Sequence, residues 1–426
     1  MKEDFLHYLW KFKKFDFLTA KTTEAETLQL LNVGQHNLQS SGPDFFNAKL
    51  KIADQVWAGN VEIHLKSSDW YAHKHEQDAN YDNVILHVVW EHNVEVFRKD
   101  ETKIPTLQLK NYVHEYTLQN YLNLVNGPEK WINCETNFAS VHDFLLKNWL
   151  ERLYVERLQE KSKLIFQLLE NSENDWEAVL FKLLTKNFGL NKNGTVFLQM
   201  ASSIPFSTVR KINEELSLEA LFFGQANMLN VDIDDAYFLQ LQKEYEYVKQ
   251  KFKLNSIHEK PAFFRLRPHN FPTLRLSQLA QLYLQHKTLF SKLKSSTTLE
   301  ELYGIFDVTT SVYWENHYSF GKENKSTKKR LSKKFIDLLI INTIIPLKFA
   351  YQKSVDKVEI ESLLDILTSI TSEENSTVKK FNILRKNTAS HALDSQALLH
   401  LKSNYCDLNK CLHCEIGTSL LQSKMS

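Results

Sequence analysis

Glycine is scarce in this chain, with ten residues among 426, and no excess of charge of either sign is present. Because glycine weakens the interior of a helix, its scarcity suits a chain built largely of helices joined by polar loops. The formal net charge is +1, so the chain lacks the overall basic field of a dedicated nucleic-acid coat protein. Any contact with DNA or RNA must therefore come from local basic patches.

Long uninterrupted apolar runs are also lacking. The most apolar stretch, residues 336–350, contains an aspartate, an asparagine, a proline and a lysine, which argues against a membrane span. The N-terminus is aromatic and amphipathic, but acids and lysines interrupt it, so it is not a signal peptide. We therefore expect a cytoplasmic protein that does not enter a membrane.

The chain does have enough apolar residues for sizeable cores, since 43% are hydrophobic and 12% aromatic. Its length exceeds what one ordinary core needs. The turn-forming Asn126-Gly127-Pro128 marks a change in composition. We predict a strand-rich mixed α/β domain over residues 1–125 and a mainly helical domain over 126–426, which together make an α+β protein.

A dense group of polar residues lies between residues 40 and 91. Alternation of apolar and polar residues predicts a hairpin of two strands, at 48–53 and 56–66, and an apolar run predicts a more buried third strand at 84–90. These strands supply the framework for a candidate site.

Glu62, His64 and Lys66 are spaced by two residues and therefore share one face of the second strand. Asp44 follows a Gly-Pro pair just before the first strand, and strand pairing can bring its carboxylate beside Glu62. Two such carboxylates can hold a divalent metal. The same residues can equally be a turn residue and a solvent-facing stripe, and the hairpin alone leaves both interpretations open.

The order of Pro43-Asp44, a hairpin and Glu62-x-His64 resembles the core of the PD-(D/E)xK nucleases. That resemblance implies a restriction-endonuclease-like fold in which Asp44 and Glu62 bind Mg²⁺ or Mn²⁺. An acid upstream often completes such sites, and Glu24 or Glu26 is the candidate here. His64 occupies the position where a lysine is expected, and a histidine there can position water or bind a metal. Lys66 lies two residues further along the same strand.

A wider pattern, SGPDF, GNVEIH, SSDW, HxH and VILHVVWE, resembles an uncharacterised bacterial family known only as a domain of unknown function. Histidines are concentrated in the same region: nine of the 16 precede residue 143. His73, His75, His87 and His92 follow the hairpin, with three aspartates among them. Clustered histidines suit a metal site or a proton relay, whereas a single histidine in an apolar strand suits a core position.

Two basic segments of the helical half are candidates for weak contact with nucleic acid. The first is a proline-containing loop before a helix, and the second, residues 322–334, carries seven basic residues and one acid. Each can contact phosphate, or can be an ordinary solvated or structural segment. The candidate contact residues are Arg265, Arg267, Arg275, Lys328, Lys329 and Arg330.

All four cysteines have a place in one pattern. Cys406, Cys411 and Cys414 lie within nine residues of one another, and Cys134 is 272 residues earlier. In a cytoplasmic protein such clustering indicates a metal site, either tetrahedral zinc, with His413 as a spare ligand, or a 4Fe-4S cluster; reduced structural thiols are the alternative. The arrangement resembles the iron staple of certain PD-(D/E)xK nucleases, although there the lone cysteine precedes the acidic motif.

These patterns support three functional hypotheses. The first is a metal-dependent nuclease with Asp44, Glu62, His64, Lys66 and Glu26 as catalytic residues, a four-cysteine metal site, and DNA or RNA as partner. The second is a non-catalytic interaction or scaffold protein stabilised by metal. The third is a metal-dependent hydrolase of small molecules that uses the histidines.

Overall fold

A computed structural model of the chain describes residues 1–37, 41–125, 130–255 and 257–422. The chain forms two compact units. The first comprises Met1–Trp149, Lys380–Lys386 and Leu399–Ser426, and the second comprises Leu150–Lys379 and Asn387–Leu398. The predicted break at residues 126–128 lies outside the described residues. The first unit is therefore longer than the predicted N-terminal domain and includes the C-terminal segment.

The first unit is organised around a six-stranded sheet. Its strands follow the order β1-β3-β4-β5-β6, and β2 pairs with β3 beside β1. The pairs β1–β3, β2–β3 and β3–β4 are antiparallel, whereas β4–β5 and β5–β6 are parallel. The strands are β1 Leu28–Asn32, β2 Gln35–His36, β3 Phe45–Ile52, β4 Gln55–Lys66, β5 Val84–Glu91 and β6 Thr106–Gln108.

The predicted hairpin and third strand are present. Ile52 pairs with Gln55, so Ala53 and Asp54 form the two-residue turn, and Ala53 adopts a positive φ of 49°. β5 is buried along most of its length, as expected for an apolar strand with parallel neighbours on both edges. The chain therefore follows the predicted α+β plan, with the strands first and a helical body after them.

Three helices of the first unit precede its boundary at Trp149: α1 Glu3–Lys11, α2 Asp69–Ala72 and α3 Glu115–Val125. The apolar residues of α1, which include Phe5 and Leu9, are buried in the same core as Val61 and Ile63 of β4. On the partly buried side of α1, Glu3 and His7 are four residues apart and therefore neighbours on the helix surface.

The second unit is mainly helical. A short hairpin, β7 His317–Ser319 and β8 Lys322–Glu323, accompanies its helices. The helices that lie in it or run into it are α4 Asp143–Glu170, α5 Trp176–Phe188, α6 Leu190–Ser203, α7 Phe206–Lys211, α8 Glu215–Gln225, α9 Ala236–Phe252, α10 Pro272–Gln285, α11 Leu289–Ser295, α12 Leu299–Ile305, α13 Lys333–Leu339, α14 Ile345–Ser354, α15 Ile360–Thr368, α16 Ser376–Leu384 and α17 Ala392–Leu401.

The helical run Lys333–Ser354 is formed by α13, a π-helical turn and α14. It is long and apolar enough to cross a membrane, contrary to the expectation that no segment reaches that length. Pro346 does not break it, because proline is tolerated in the first turn of α14. Since 72% of its most apolar window is buried inside the protein, its placement is that of a core helix.

A buried carboxylate joins several elements of the second unit. Glu219 on α8 is fully buried. Its Oε1 accepts a hydrogen bond from the Ser277 hydroxyl at 2.5 Å, and its Oε2 accepts from the Tyr237 hydroxyl at 2.6 Å and the Trp314 indole at 3.1 Å. Three donors thus compensate for the removal of this carboxylate from water.

The last helix, α18 Glu415–Gln422, packs in the first unit against α3. The Asn120 side chain donates to the Leu420 carbonyl at 3.2 Å, and the Gln422 side chain donates to the Tyr8 hydroxyl at 3.2 Å. Leu421 belongs to the same buried core as the sheet. The C-terminal segment is therefore a structural part of the first unit.

Candidate functional site

Asp44, just before β3, lies beside Glu62 of the neighbouring strand β4. The backbone N–H of Ile63 donates to Asp44 Oδ2 at 3.0 Å, and the backbone N–H of Asp44 donates to Glu62 Oε2 at 3.1 Å. Glu62 is 5% exposed. The structure thus brings together the two carboxylates that the sequence analysis predicted to be metal ligands.

The loop before β3 determines where Asp44 lies. Gly42 adopts a φ of +113°, a conformation that favours glycine, and Pro43 then restricts the backbone leading to Asp44. The Asn37 backbone N–H donates to the Asp44 carbonyl at 2.8 Å, and the Asn37 side chain donates to the Pro43 carbonyl at 3.2 Å. The Gly-Pro-Asp order therefore has a direct structural role.

The environment of Glu62 disfavours its charge. Burial, followed by the charge of Asp44, raises the pKa of Glu62 to about 9, although the hydrogen bond from the Asp44 backbone acts in the opposite direction. Two carboxylates in one buried site cannot both ionise without cost. A bound cation would reverse that balance, which makes this pair chemically suited to a metal.

Two residues of α1 complete this side of the site. His7 Nε2 lies 3.3 Å from Asp44 Oδ2. Burial lowers the pKa of His7, but its contacts with Asp44 outweigh burial and the net shift is upward. The pKa of Glu3 is raised by burial and then by the charge of Asp44. Sequence reasoning missed both residues, although their spacing on an otherwise apolar helix was a usable signal.

Glu24 and Glu26 do not reach this site. Leu28 pairs with Ile52, so the segment before β1 lies at the end of β3 opposite Asp44, roughly 25 Å away for an eight-residue strand. Glu24 forms an ion pair with Lys103. The proposal of Glu26 as the upstream acid is therefore corrected: Glu3 is the acid that lies near Asp44.

His64 occupies the position next to the acids. It is 2% exposed, and its Nε2 lies 3.5 Å from Glu62 Oε1. Lys66 is the exposed last residue of β4, and its backbone N–H donates to Asp69 Oδ2 at 2.9 Å. Of the two residues considered for the lysine position, His64 is therefore the one in contact with Glu62.

Three further histidines surround His64. His64 Nε2 lies 3.1 Å from His73 Nδ1, and His64 Nδ1 lies 2.8 Å from His87 Nε2. His75 Nε2 lies 3.3 Å from Glu62 Oε1. Among the described residues, the ligand atoms of His64, His73 and His75 form a group within 4.8 Å of one another.

The backbone between the two histidines of the HxH motif explains their convergence. His73 ends α2, and Lys74 then adopts the left-handed conformation with a φ of 60°. His75 stacks on Tyr81 with ring centroids 3.8 Å apart. This turn directs both histidines towards His64.

The buried histidines are held neutral. Burial, and then the charges of His75 and His73, lowers the pKa of His64 to about 3. Burial also lowers the pKa of His87 well below its ordinary value. Neutral imidazoles retain a lone pair, so they can accept a hydrogen bond from water or bind a metal.

The other polar residues of this region have local roles. Asp78 caps the turn at Asn80 by accepting from its backbone N–H at 2.9 Å, and His92 lies 3.5 Å from Glu95. Neither contact involves Asp44 or Glu62. The number of histidines therefore overstated the site: His73, His75 and His87 gather around His64, whereas His92 pairs with Glu95.

The sequence matches a family described as a protein of unknown function, DUF2851, over residues 3–376. The chain belongs to the DUF2851 family. No curated protein and no solved structure matches it. Asp44, Glu62 and the histidine cluster lie within the matched range, whereas the three C-terminal cysteines of this DUF2851 protein lie beyond it.

The four cysteines of the DUF2851 chain, all among the described residues, lie in the first unit, although no three of their sulfur atoms are within 4.8 Å of one another. The pKa of Cys134 is raised to about 12 by burial and then by Cys414 and Cys411, and that of Cys406 is raised by burial and then by Cys134, Cys414 and Cys411. The Asn133 side chain donates to Cys411 Sγ at 3.4 Å. Cys134 is thus close to the C-terminal three despite its distance in sequence.

The segment around Cys414 is closely packed. Burial raises the pKa of Cys414 to about 11, while hydrogen bonds from the backbone of Gly417 and Ile416, at the start of α18, act to lower it. A Cβ atom on Gly417 would lie 2.2 Å from the Cys411 carbonyl oxygen. Glycine is therefore required at residue 417 for α18 to approach the turn Cys411–His413 so closely.

The basic segments differ from the prediction at two residues. Arg275 is 4% exposed, stacks on Phe335, and donates to Gln278 Oε1 at 2.9 Å and Asn270 Oδ1 at 2.6 Å. Lys329 is 3% exposed and donates to the backbone carbonyls of Trp314 and Glu315. Both cations are occupied inside the second unit, so they are removed from the candidate contacts.

The remaining basic candidates lie at the surface. Arg265, Arg267 and Lys328 are exposed. Arg330 is also exposed, and its Nη1 lies 3.1 Å from Asp307 Oδ1. These four stay as predicted contact residues, and Arg330 would have to exchange an acidic partner for phosphate.

Proposed function

We propose that this DUF2851 protein is a metal-dependent nuclease that hydrolyses phosphodiester bonds at the Asp44–Glu62 site. The observation that carries the proposal is the reciprocal placement of the two acids, each linked to the other's strand by a backbone hydrogen bond. The antiparallel β3–β4 pair, the parallel β5 and the packing of α1 support the likeness to the PD-(D/E)xK arrangement, with His64 in place of lysine.

The residues fit a divalent cation such as Mg²⁺ or Mn²⁺. Asp44 and Glu62 would hold it, and their burial beside one another leaves charge that such an ion would offset. When bound, the ion would stabilise negative charge on the phosphate and make a bound water more acidic. His64, whose Nε2 lies 3.5 Å from Glu62 Oε1, would either position that water or bind the ion directly.

These contacts support the hypothesis of a non-catalytic scaffold less than they support the nuclease hypothesis. A shallow surface with its carboxylates turned apart was the arrangement expected of a non-catalytic protein, whereas Asp44 and Glu62 are joined through backbone hydrogen bonds. The grouping of His64, His73 and His75 does favour a second candidate, a metal-dependent hydrolase of small molecules. Its substrate would be a compact phosphoester rather than a polynucleotide.

A metal at the four cysteines is a separate part of the proposal. The clustering of Cys134 with Cys406, Cys411 and Cys414, and the backbone donors directed at Cys414, support either Zn²⁺ or a 4Fe-4S cluster. This metal would stabilise the packing of the C-terminal segment in the first unit. It would not take part in hydrolysis.

The decisive assay compares cleavage by matched variants. Wild type, Asp44→Asn, Glu62→Gln and Asp54→Asn are incubated with single-stranded and double-stranded DNA and RNA, with Mg²⁺ or Mn²⁺. Asp54 is the control because it is an exposed acid in the turn of the same hairpin. We expect wild type and Asp54→Asn to cleave, Asp44→Asn and Glu62→Gln to be inactive, and His64→Ala to be intermediate.

Two results would contradict the nuclease proposal. Equal cleavage by all variants would identify a contaminating enzyme. No cleavage of any polynucleotide by wild type, together with turnover of small phosphoesters that Glu62→Gln abolishes, would establish the second candidate instead. Activity of His64→Lys, which restores the residue common in the resembled nucleases, would further support the assignment of His64.

A further inference from the structure

We infer that His64, His73 and His75, with Glu62 as a fourth ligand, form a binding site for a zinc-like divalent transition metal. The inference rests on the same site as the proposed function, but it concerns binding and does not depend on cleavage. The proposed site differs from a magnesium site because its imidazole nitrogens outnumber its carboxylate oxygens. Such a ligand set favours Zn²⁺ and its transition-metal neighbours over Mg²⁺.

Three of the distances between ligand atoms are close to those of tetrahedral coordination. Zinc binds histidine nitrogen at about 2.0–2.1 Å, so two ligand atoms at tetrahedral corners lie about 3.3 Å apart. The separations here are 3.1 Å from His64 Nε2 to His73 Nδ1, 3.5 Å from His64 Nε2 to Glu62 Oε1, and 3.3 Å from His75 Nε2 to Glu62 Oε1. The three histidines therefore form the compact part of the site, with ligand atoms within 4.8 Å of one another, and Glu62 lies outside that group but contacts two of its members.

The proton on His64 is better placed on the side away from this group. A neutral imidazole has one N–H, and His64 Nδ1 can donate it to His87 Nε2 at 2.8 Å. His64 Nε2 then presents only a lone pair to His73 and to the carboxylate oxygen of Glu62. A cation satisfies that concentration of lone pairs, and a histidine that donates its other N–H to a neighbour is the usual arrangement at metal sites.

The surroundings fix the rings while leaving a route for the ion. His64 is buried, and His75 is partly buried and held between Tyr81, on which it stacks, and Trp70, whose ring centroid is 5.4 Å away. His73 is exposed. A metal can thus reach the group from the solvent side at His73 without unfolding the sheet.

Glu62 connects this group with the acid pair. Its Oε1 faces His64 and His75, and its Oε2 accepts from the backbone of Asp44. The histidine group thereby accounts for the departure from the carboxylate and lysine pattern of the resembled nucleases, because His64 supplies a ligand atom where a lysine could not. The histidine group is expected to prefer a zinc-like metal to magnesium.

The test measures metal binding by full-length, chelator-treated protein. Zn²⁺ and Mg²⁺ are titrated by calorimetry, and Co²⁺ is titrated while its visible absorption is followed. Thiolate charge-transfer absorption in the near ultraviolet reports Co²⁺ at the cysteines separately. The variants are His73→Ala and His75→Ala, with His114→Ala as the control because His114 is an exposed histidine of the same unit that stacks on Tyr116.

We expect wild type and His114→Ala to bind one equivalent of Zn²⁺ beyond any held by the four cysteines, and saturating Mg²⁺ should not displace it. His73→Ala and His75→Ala should weaken that step at least about tenfold and reduce the cobalt absorption without altering the thiolate band. Unchanged zinc affinity in both variants, or displacement of the zinc by Mg²⁺, would overturn the inference. Because no turnover is measured, failure of the nuclease assay and failure of this titration are distinguishable results.

Discussion

Asp44 and Glu62 are linked by two hydrogen bonds between side chain and backbone. The backbone N–H of Asp44 donates to the Glu62 carboxylate, and the backbone N–H of Ile63, the residue after Glu62, donates to the Asp44 carboxylate. Two acids are thereby fixed at close quarters in a largely buried position. Without a cation this arrangement costs stability, since burial and mutual repulsion both disfavour the charged forms.

Glu62→Gln should therefore stabilise the metal-free protein. Removing a buried charge while keeping the side-chain shape should raise Tm by about 2 °C or more, corresponding to about 1 kcal/mol. The measurement is a thermal melt in chelator, with Asp54→Asn as the matched exposed control. In saturating metal the order should reverse, because only wild type gains stability from binding. A lower Tm for Glu62→Gln in chelator would show that the carboxylate itself stabilises the fold.

Cys411→Ser should lower Tm and release metal, because ligand binding at the four cysteines is coupled to folding of the first unit. His413→Ala is the control, and it should retain metal if the four thiols are the ligands. Metal analysis after anaerobic purification identifies the group: a brown protein that bleaches on reduction contains an iron–sulfur cluster, and a colourless one with about one zinc per chain contains a tetrahedral site. Unchanged Tm and metal content in Cys411→Ser would disprove the coupling.

Gly417→Ala should destabilise the first unit by about 1–3 kcal/mol, because the added Cβ would lie 2.2 Å from the Cys411 carbonyl oxygen. Gly304→Ala is a matched control within helix α12, where an added Cβ meets no atom within 4 Å. That control should be neutral or stabilising by up to about 1 kcal/mol, as alanine favours helix. Chemical denaturation measures both. Equal effects of the two substitutions would contradict the close approach of α18.

Glu219 provides a pH-dependent test in the second unit. Burial raises the pKa of Glu219 above its ordinary value of 4.5, although its hydrogen bonds act in the opposite direction. Its contribution to stability is therefore complete below pH 4.5 and is lost as the pH rises towards the folded-state pKa. Relative to wild type, Glu219→Gln should gain stability as the pH rises above about 4.5.

Glu219→Ala should lower stability at every pH, in contrast to Glu219→Gln. It leaves the Ser277, Tyr237 and Trp314 donors without their acceptor and should cost about 3 kcal/mol or more. Thermal melts across the pH range measure both variants. A Tm difference between Glu219→Gln and wild type that stays constant with pH would mean that the folded-state pKa of Glu219 is not raised.

Local patterns were sufficient to predict the sheet region. Alternation along β3 and β4, and the apolar run of β5, predict the strands to within a few residues. The Asp44–Glu62 neighbourhood follows from hairpin register, because pairing of adjacent strands is a short-range constraint. The expected α+β order is confirmed for the same reason: each element carries its own periodicity.

Long-range packing accounts for what the sequence did not predict. The approach of Glu3 and His7 to Asp44 depends on where α1 lies against the sheet, which no spacing along the chain specifies. Glu26 was chosen for its position in sequence, but the direction of β3 places it at the far end. Arg275 stacks on Phe335, 60 residues later in the chain, and Lys329 donates to the carbonyls of Trp314 and Glu315. A count of charges does not reveal these contacts and therefore predicted both residues to be exposed.

The discontinuous first unit has a consequence for synthesis of the protein. About 250 residues separate Trp149 from Leu399, and the segment that begins at Leu399 supplies α18 and three of the four cysteines. At roughly 5–20 residues per second, a ribosome needs about 10–50 s to add them. During that interval the surface of the nascent sheet domain that packs against α18 in the finished protein stays uncovered.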